Sequence, residues 1–155
     1  MSLERICNGE VVTVPPEATL LEVARLMRTR HVGSVIVIEE YHPVGILTDR
    51  DIVVKVVAAE RDPKTIQARE IMVSNPALVN INYDPLDATR IMRDRGLRRL
   101  PVVDENRHLL GIVTLDDVLG LLGREIANLV EAVHTELTKE GASASSLYDD
   151  RLEEV

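Results

Sequence analysis

The 155-residue sequence predicts a mixed α/β (α+β) fold. It is built from tandem β-α-β-β-α repeats with pseudo-two-fold symmetry, packed through their sheets. Three observations predict it. The chain is written twice, and each copy alternates apolar extended runs with helical periodicity. A unit of about 55 residues also buries too little surface to be secure alone, so two must share their burial. The duplication emerges when the sequence is slid by 65 positions. Ile6 falls on Ile71, Val14 on Val79, Leu21 on Leu86, Arg25 on Arg90, Met27 on Met92, Arg28 on Arg93, Arg30 on Arg95 and Val37 on Val102. One residue more enters the second copy after about Glu105. At a shift of 66, His42 then meets His108, Gly45 meets Gly111, Ile46 meets Ile112, Thr48 meets Thr114 and Asp51 meets Asp117.

The elements follow in order. "VVTV" (11–14) is a short extended lead before the turn-prone Pro15-Pro16. "TLLEVARLMRTR" (19–30) sets Leu20, Val23, Ala24 and Met27 at helical spacing, with Thr19 as the cap and Glu22 three residues on. "SVIVIEE" (34–40) is β-branched and reads as a strand. "HPVGILT" (42–48) returns as its hairpin partner. Thr48 then opens "DRDIVVKVVAAE", whose "IVVKVVA" favours a strand by propensity. Its counterpart, "DDVLGLLGREIANLVEAV", has the leucine spacing of a helix, so the repeat overrides propensity and both segments are helices. Strands apolar on both faces imply a sheet covered by helices on one side and by the sister copy on the other. The organisation read from this is a first repeat over 1–62, a linker over 63–70 and a second repeat over 71–125. A helical extension follows over 126–140, then a flexible acidic tail over 141–155.

Composition removes several functions. The net charge of −8 and an aromatic content of 2 % argue against a nucleic-acid binder, which needs basic patches and stacking rings. A planar ligand would be gripped by aliphatic side chains and backbone. No apolar run approaches about 18 residues, so no membrane partner is expected. The start, "MSLERICNGE", lacks the apolar stretch of a secretion signal. A lone cysteine, Cys7, forms no intrachain disulfide and fits a reducing cytoplasm, where it reads as a small buried apolar residue. His31, His42, His108 and His134 show no metal-site spacing. No Gly-rich phosphate loop and no nucleophile–base pattern occur, so neither a metal, a cofactor nor a catalytic residue is expected.

The chemistry concentrates in "GILTDRD" (45–51) and "GIVTLDD" (111–117). An ionised aspartate can accept from both hydroxyls of a ribose. Asp51 in the first turn of a helix is rigidly aimed, and the free N–H groups there suit a phosphate, with Thr48 adding a hydroxyl. The alternative is a capping box serving only the helix, worth about 1 kcal/mol. Gly45 and Gly111 either admit a ligand to the backbone or ease the hairpin. The copies differ. Arg50 in the first could reach a phosphate, whereas Asp116 in the second would repel one, and Thr13 is replaced by Leu78. Two inequivalent clefts are therefore expected.

Taken together, "VVTVPPEATLLEVARLM", "PALVNINYDPLDATRIM", "RRLPVVDE" (98–105) and the two exit motifs resemble the cystathionine-β-synthase (CBS) domain pair, or Bateman module, over residues 6–125. The resemblance implies a regulatory, non-catalytic nucleotide sensor. It would bind AMP, ADP, ATP or S-adenosylmethionine between the repeats and stack as a disc-shaped homodimer. It transfers ribose and phosphate contacts to Thr48, Asp51, Thr114 and Asp117, and adenine contacts to the lead strand at Thr13 and Val14. On the middle strand it points to Arg98, Arg99 and Pro101, the arginines facing phosphates or else pairing with this chain's carboxylates. NAD is a further ligand candidate, and an unknown regulated protein is the implied recipient of the signal. Beyond residue 123, Ile126, Leu129, Val130, Val133 and Leu137 form one apolar stripe. It is suited to the chain's own core or to a second subunit.

Overall fold

The computed structural model describes residues 2–149, with side chains through residue 139. It divides into two units, residues 1–118 and 119–155. The first holds both sheets. β1 (Thr13–Val14) pairs in parallel with β2 (Ser34–Glu39), which pairs antiparallel with β3 (His42–Thr48). α1 (Leu20–Arg30) crosses between β1 and β2. The second repeat repeats the plan. β5 (Val79–Asn80) runs parallel to β6 (Arg99–Val103), β6 antiparallel to β7 (Leu109–Thr114), and α4 (Pro85–Arg95) makes the crossover.

Local chemistry fixes the helix ends. At α1 the Thr19 hydroxyl accepts the Glu22 N–H (3.3 Å), while Glu22 accepts the Thr19 N–H (2.8 Å), a complete capping box. At α4 the cap is Asp84 with Pro85 behind it, a ring whose missing N–H costs nothing at that position. Both helices end in a left-handed residue at the same place in the repeat, His31 in one copy and Gly96 in the other.

The segment after Thr48 is helical, as the repeat required. α2 (Asp49–Ile52) passes into a π-wound stretch, Val53–Val57. The β-branched run thus takes a wider winding in place of a strand. Its ladder partner would have to come from a sheet whose β3 edge is already taken.

That edge is taken by β4 (Val73–Ser74), which pairs antiparallel with β3 at Gly45 and Ile46. β4 belongs, by sequence, to the second repeat. The reciprocal exchange also occurs: Asn8, from the first repeat, bridges to Ile112 on β7. Leu3 lies fully buried in the core of the second repeat. The stretch read as a linker is also structural. It carries α3 (Ala68–Ile71), and Ile66, Ala68 and Ile71 join the first core beside Leu20, Val23 and Leu47. The Leu20 N–H donates to the Ile66 carbonyl (3.0 Å).

Each repeat therefore has its own apolar cluster, and each lends its leading segment to the other's sheet. On β2, Val35 and Val37 enter the first cluster. Ile36 points the opposite way and is still wholly buried. Pro101 is buried likewise on β6. Ser34 on β2 meets Arg99 on β6, and the Tyr41 carbonyl accepts the Leu109 N–H, so the sheets meet through these faces.

α5 (Leu115–Asp149) begins in the first unit and forms the second. It continues past Gly141, where composition suggested a change to a flexible tail, through Asp149. Residues 150–155 of that expected tail lie outside the described residues. Ile126, Leu129, Val130, Val133 and Leu137 are all exposed. No helix among the described residues is long and apolar enough to cross a membrane.

Candidate functional site

The two Thr-x-x-Asp motifs fold into near-identical boxes. Asp51 Oδ2 accepts from the Thr48 N–H (3.0 Å) and hydroxyl (2.7 Å), while the Thr48 hydroxyl accepts the Asp51 N–H (3.2 Å). In the second copy the same bonds measure 2.7, 2.6 and 3.2 Å between Thr114 and Asp117. Sequence reasoning set capping against ligand binding, and the geometry permits both at the first box. Its carboxylate closes the cap and also lines a cleft.

That cleft encloses about 370 Å³, within the range of small-molecule sites. Ile46, Thr48 and Asp51 form one wall, and Val73, Asn75, Pro76 and Ala77 form the second. The third is Arg95 to Arg99 with Pro101. The leading segment opposite Asp51 thus comes from the second repeat, because β4 docks on β3. Of the residues singled out from the sequence, Thr48, Asp51, Arg98, Arg99 and Pro101 share this cleft.

The others do not. Thr13 lines two other hollows, one with Gly9, Val11 and Tyr41 and one with Asn8, Glu10 and Arg30, and Val14 is buried in the first core. The exchange of leading segments is the reason: β1 stays with its own β2 and never reaches α2. Arg50 is exposed on the outer side of the first turn and is absent from the lining. Thr114 and Asp117 are likewise outside this lining. Asp117 stands near Cys7, whose thiol is pushed up first by burial and then by that carboxylate.

The glycines have a role that neither sequence reading assigned. A Cβ at Gly45 would collide with the sulfur of Met72, and one at Gly111 with the sulfur of Cys7. Met72 and Cys7 occupy equivalent positions, each just ahead of the segment its repeat lends away. The glycines thus make room for the crossing chain. Sequence reasoning also missed Ile46, the Asn75–Ala77 wall and Lys55. Only Lys55 left a signal, as a cation four residues after Asp51.

Electrostatics sharpen the first box. Lys55 Nζ lies 2.9 Å from Asp51 Oδ1 and 2.8 Å from the Ile71 carbonyl oxygen. Burial raises the Asp51 carboxyl, but hydrogen bonds from Lys55 and Thr48 outweigh it and hold the group below the ordinary carboxylate value. Backbone N–H donors hold Glu22, Asp84 and Asp104 low as well. A depressed folded pKa stabilises the fold above the unfolded value, and the benefit is lost as pH falls through the folded one. Stability to urea should therefore drop as pH falls below about 3.9. Asp51→Asn should flatten part of that slope, which urea midpoints between pH 7 and pH 3 would show.

Across the third wall, Arg99 Nη1 donates to the Ser34 hydroxyl (2.6 Å). Arg98 is 3.7 Å from Asp116, and both of those side chains are largely exposed. Such a contact is weak and easily exchanged. Among the described residues no three His, Cys, Asp or Glu side chains cluster as a metal site.

A search of known proteins agrees with this architecture. The CBS domain family model matches residues 3–58 and 68–124. A CBS domain-containing protein of Bacillus subtilis, YhcV, is 40 % identical over 117 residues, covering 76 % of this chain and 82 % of that protein. An uncharacterised protein of Methanopyrus kandleri is 37 % identical over 132 residues, covering 84 % of this chain and 67 % of that one. Among solved structures, a CBS domain protein from Pyrobaculum aerophilum complexed with AMP superposes with a TM-score of 0.69 at 27 % identity. That match covers 76 % of this chain and 89 % of the other. The duplicated sheets, the paired helix-opening boxes and these matches have one reading: the chain belongs to the CBS domain family and carries two CBS domains as a pair.

Proposed function

We propose that this CBS pair is a regulatory nucleotide-sensing module. It takes an adenosine-containing ligand, AMP, ADP or ATP, in the first cleft and does not turn it over. The observation that carries this reading is the meeting, in one cleft, of the Asp51 carboxylate with Arg98 and Arg99 from the other repeat. A nucleotide has the matching ends: two adjacent ribose hydroxyls that donate and a phosphate that accepts.

Hydrogen-bond counting is consistent with it. A carboxylate offers about four acceptor positions. Thr48 fills two on Asp51 and Lys55 a third. If the Thr48 hydroxyl turns to donate to the phosphate, one position is freed, and the two ribose hydroxyls complete the set. Ile46, Val73, Pro76 and Ala77 supply aliphatic faces for the base in a cleft without aromatic rings. The AMP complex of the Pyrobaculum aerophilum relative supports the ligand class.

Signalling would follow by linkage. A ligand that binds one arrangement of the repeats better shifts the population toward it, and a homodimer or a regulated partner reads the shift. The competing reading is a constitutive scaffold whose two boxes act only as caps, as their internal bonds allow.

Thermal unfolding with AMP, ADP, ATP, S-adenosylmethionine and NAD separates them. A ligand at 100 times its dissociation constant stabilises by about 2.7 kcal/mol, which for a chain of this size is roughly 5–10 °C. A shift with AMP, ADP or ATP is expected. A shift with S-adenosylmethionine or NAD alone would reassign the ligand, and silence from all five would leave the scaffold.

A further inference from the structure

Lys55 stands in the middle of the π-wound stretch Val53–Val57, a form of helix often found at functional sites. Its ammonium bridges two groups, Asp51 Oδ1 at 2.9 Å and the Ile71 carbonyl oxygen at 2.8 Å. Asp51 belongs to the first wall of the cleft. Ile71 ends α3, two residues before Val73, where the second wall begins.

We infer that Lys55 is a positioning residue for ligand binding. It holds the Asp51 carboxylate aimed into the first cleft, ties it to the segment forming the opposite wall, and so makes the first cleft the competent one. The inference rests on the nucleotide-sensing reading.

The geometry supports it on three counts. Asp51 Oδ2 is fixed by Thr48. With Oδ1 fixed by Lys55, both carboxylate oxygens are anchored and the group cannot rotate away from the cleft. The Asp51 side chain is only 17 % exposed, so its remaining acceptor positions are few and directed. The second copy lacks the device: position 121, which matches Lys55 at the 66-residue shift, is leucine. Leucine cannot donate, so the Thr114–Asp117 box has no ammonium at that place on its helix.

The test compares the full-length protein with Lys55→Met, which keeps the stem and removes the charge, and with Lys55→Arg, which restores a cation. AMP affinity is measured by calorimetry from pH 3 to pH 8, alongside thermal unfolding without ligand. In Lys55→Met, affinity at neutral pH should fall about tenfold, as for loss of one bond to a charged group. The acid limb of binding should move to higher pH, because Asp51 loses one of the donors that hold its carboxyl low. Lys55→Arg should recover both. Equal affinity and an unmoved acid limb in Lys55→Met, even with a lower melting temperature, would overturn the role of Lys55 while leaving the nucleotide reading intact. Failure of the unaltered protein to bind AMP, ADP or ATP would overturn both.

Discussion

Asp51→Ala is expected to weaken AMP binding by roughly 30- to 150-fold, the equivalent of about 2–3 kcal/mol for two ribose hydroxyls losing a charged acceptor. Asp117→Ala should leave AMP affinity within about threefold, since Asp117 does not line the cleft. The pair is internally controlled. Both substitutions break a Thr-x-x-Asp box of the same geometry, so each should lose about 1 kcal/mol of capping. The partner left behind by Asp51→Ala adds little to that, because Lys55 is 41 % exposed and can be solvated. Melting temperatures without ligand should therefore fall alike, and only the AMP-induced shift should separate the variants. Equal loss of AMP binding in both would mean that the second box also holds ligand.

Gly111→Ala should destabilise the fold by about 2–3 kcal/mol, against about 1 kcal/mol for Gly45→Ala. Both glycines admit a crossing chain, but the obstacles differ. At Gly111 the added methyl would stand 2.6 Å from the Asn8 carbonyl oxygen and 3.1 Å from its carbon, besides striking the Cys7 sulfur. Backbone held by a two-way bridge to Ile112 cannot step aside without breaking the bridge. At Gly45 the obstacles are all Met72 side-chain atoms, the nearest being its sulfur, and a methionine can swing away. Alanine's smaller unfolded-state entropy returns about 0.5 kcal/mol in either case. Urea denaturation of the two variants would show the order. Equal costs would mean that the Cys7–Asn8 segment yields as readily as a side chain.

Much of this molecule was legible before any coordinates. The 65- and 66-residue shifts revealed the duplication because both copies answer to the same packing demands, residue by residue. The Thr19–Glu22 cap, the hairpin from Ser34 to Thr48 and the two Thr-x-x-Asp boxes are local, written within a few positions of one another. The "IVVKVVA" segment shows where local information runs out. Its β-branched residues favour a strand, its sister copy requires a helix, and the outcome is a helix with a π-wound stretch.

The site was legible in composition but not in assembly. Thr48, Asp51, Arg98, Arg99 and Pro101 were named from the sequence and do share a cleft, whereas Thr13 and Val14 lie outside the lining of that cleft. Sequence determined the repeats, their elements and the chemistry that each helix opening offers, since these depend on neighbours along the chain. Tertiary structure alone decided that each repeat lends its leading segment to the other's sheet. That exchange sets Asn75 to Ala77, and not Thr13, across from Asp51. Which strand edge a segment occupies is a competition between distant surfaces for the same unpaired backbone groups, and no residue records its winner locally.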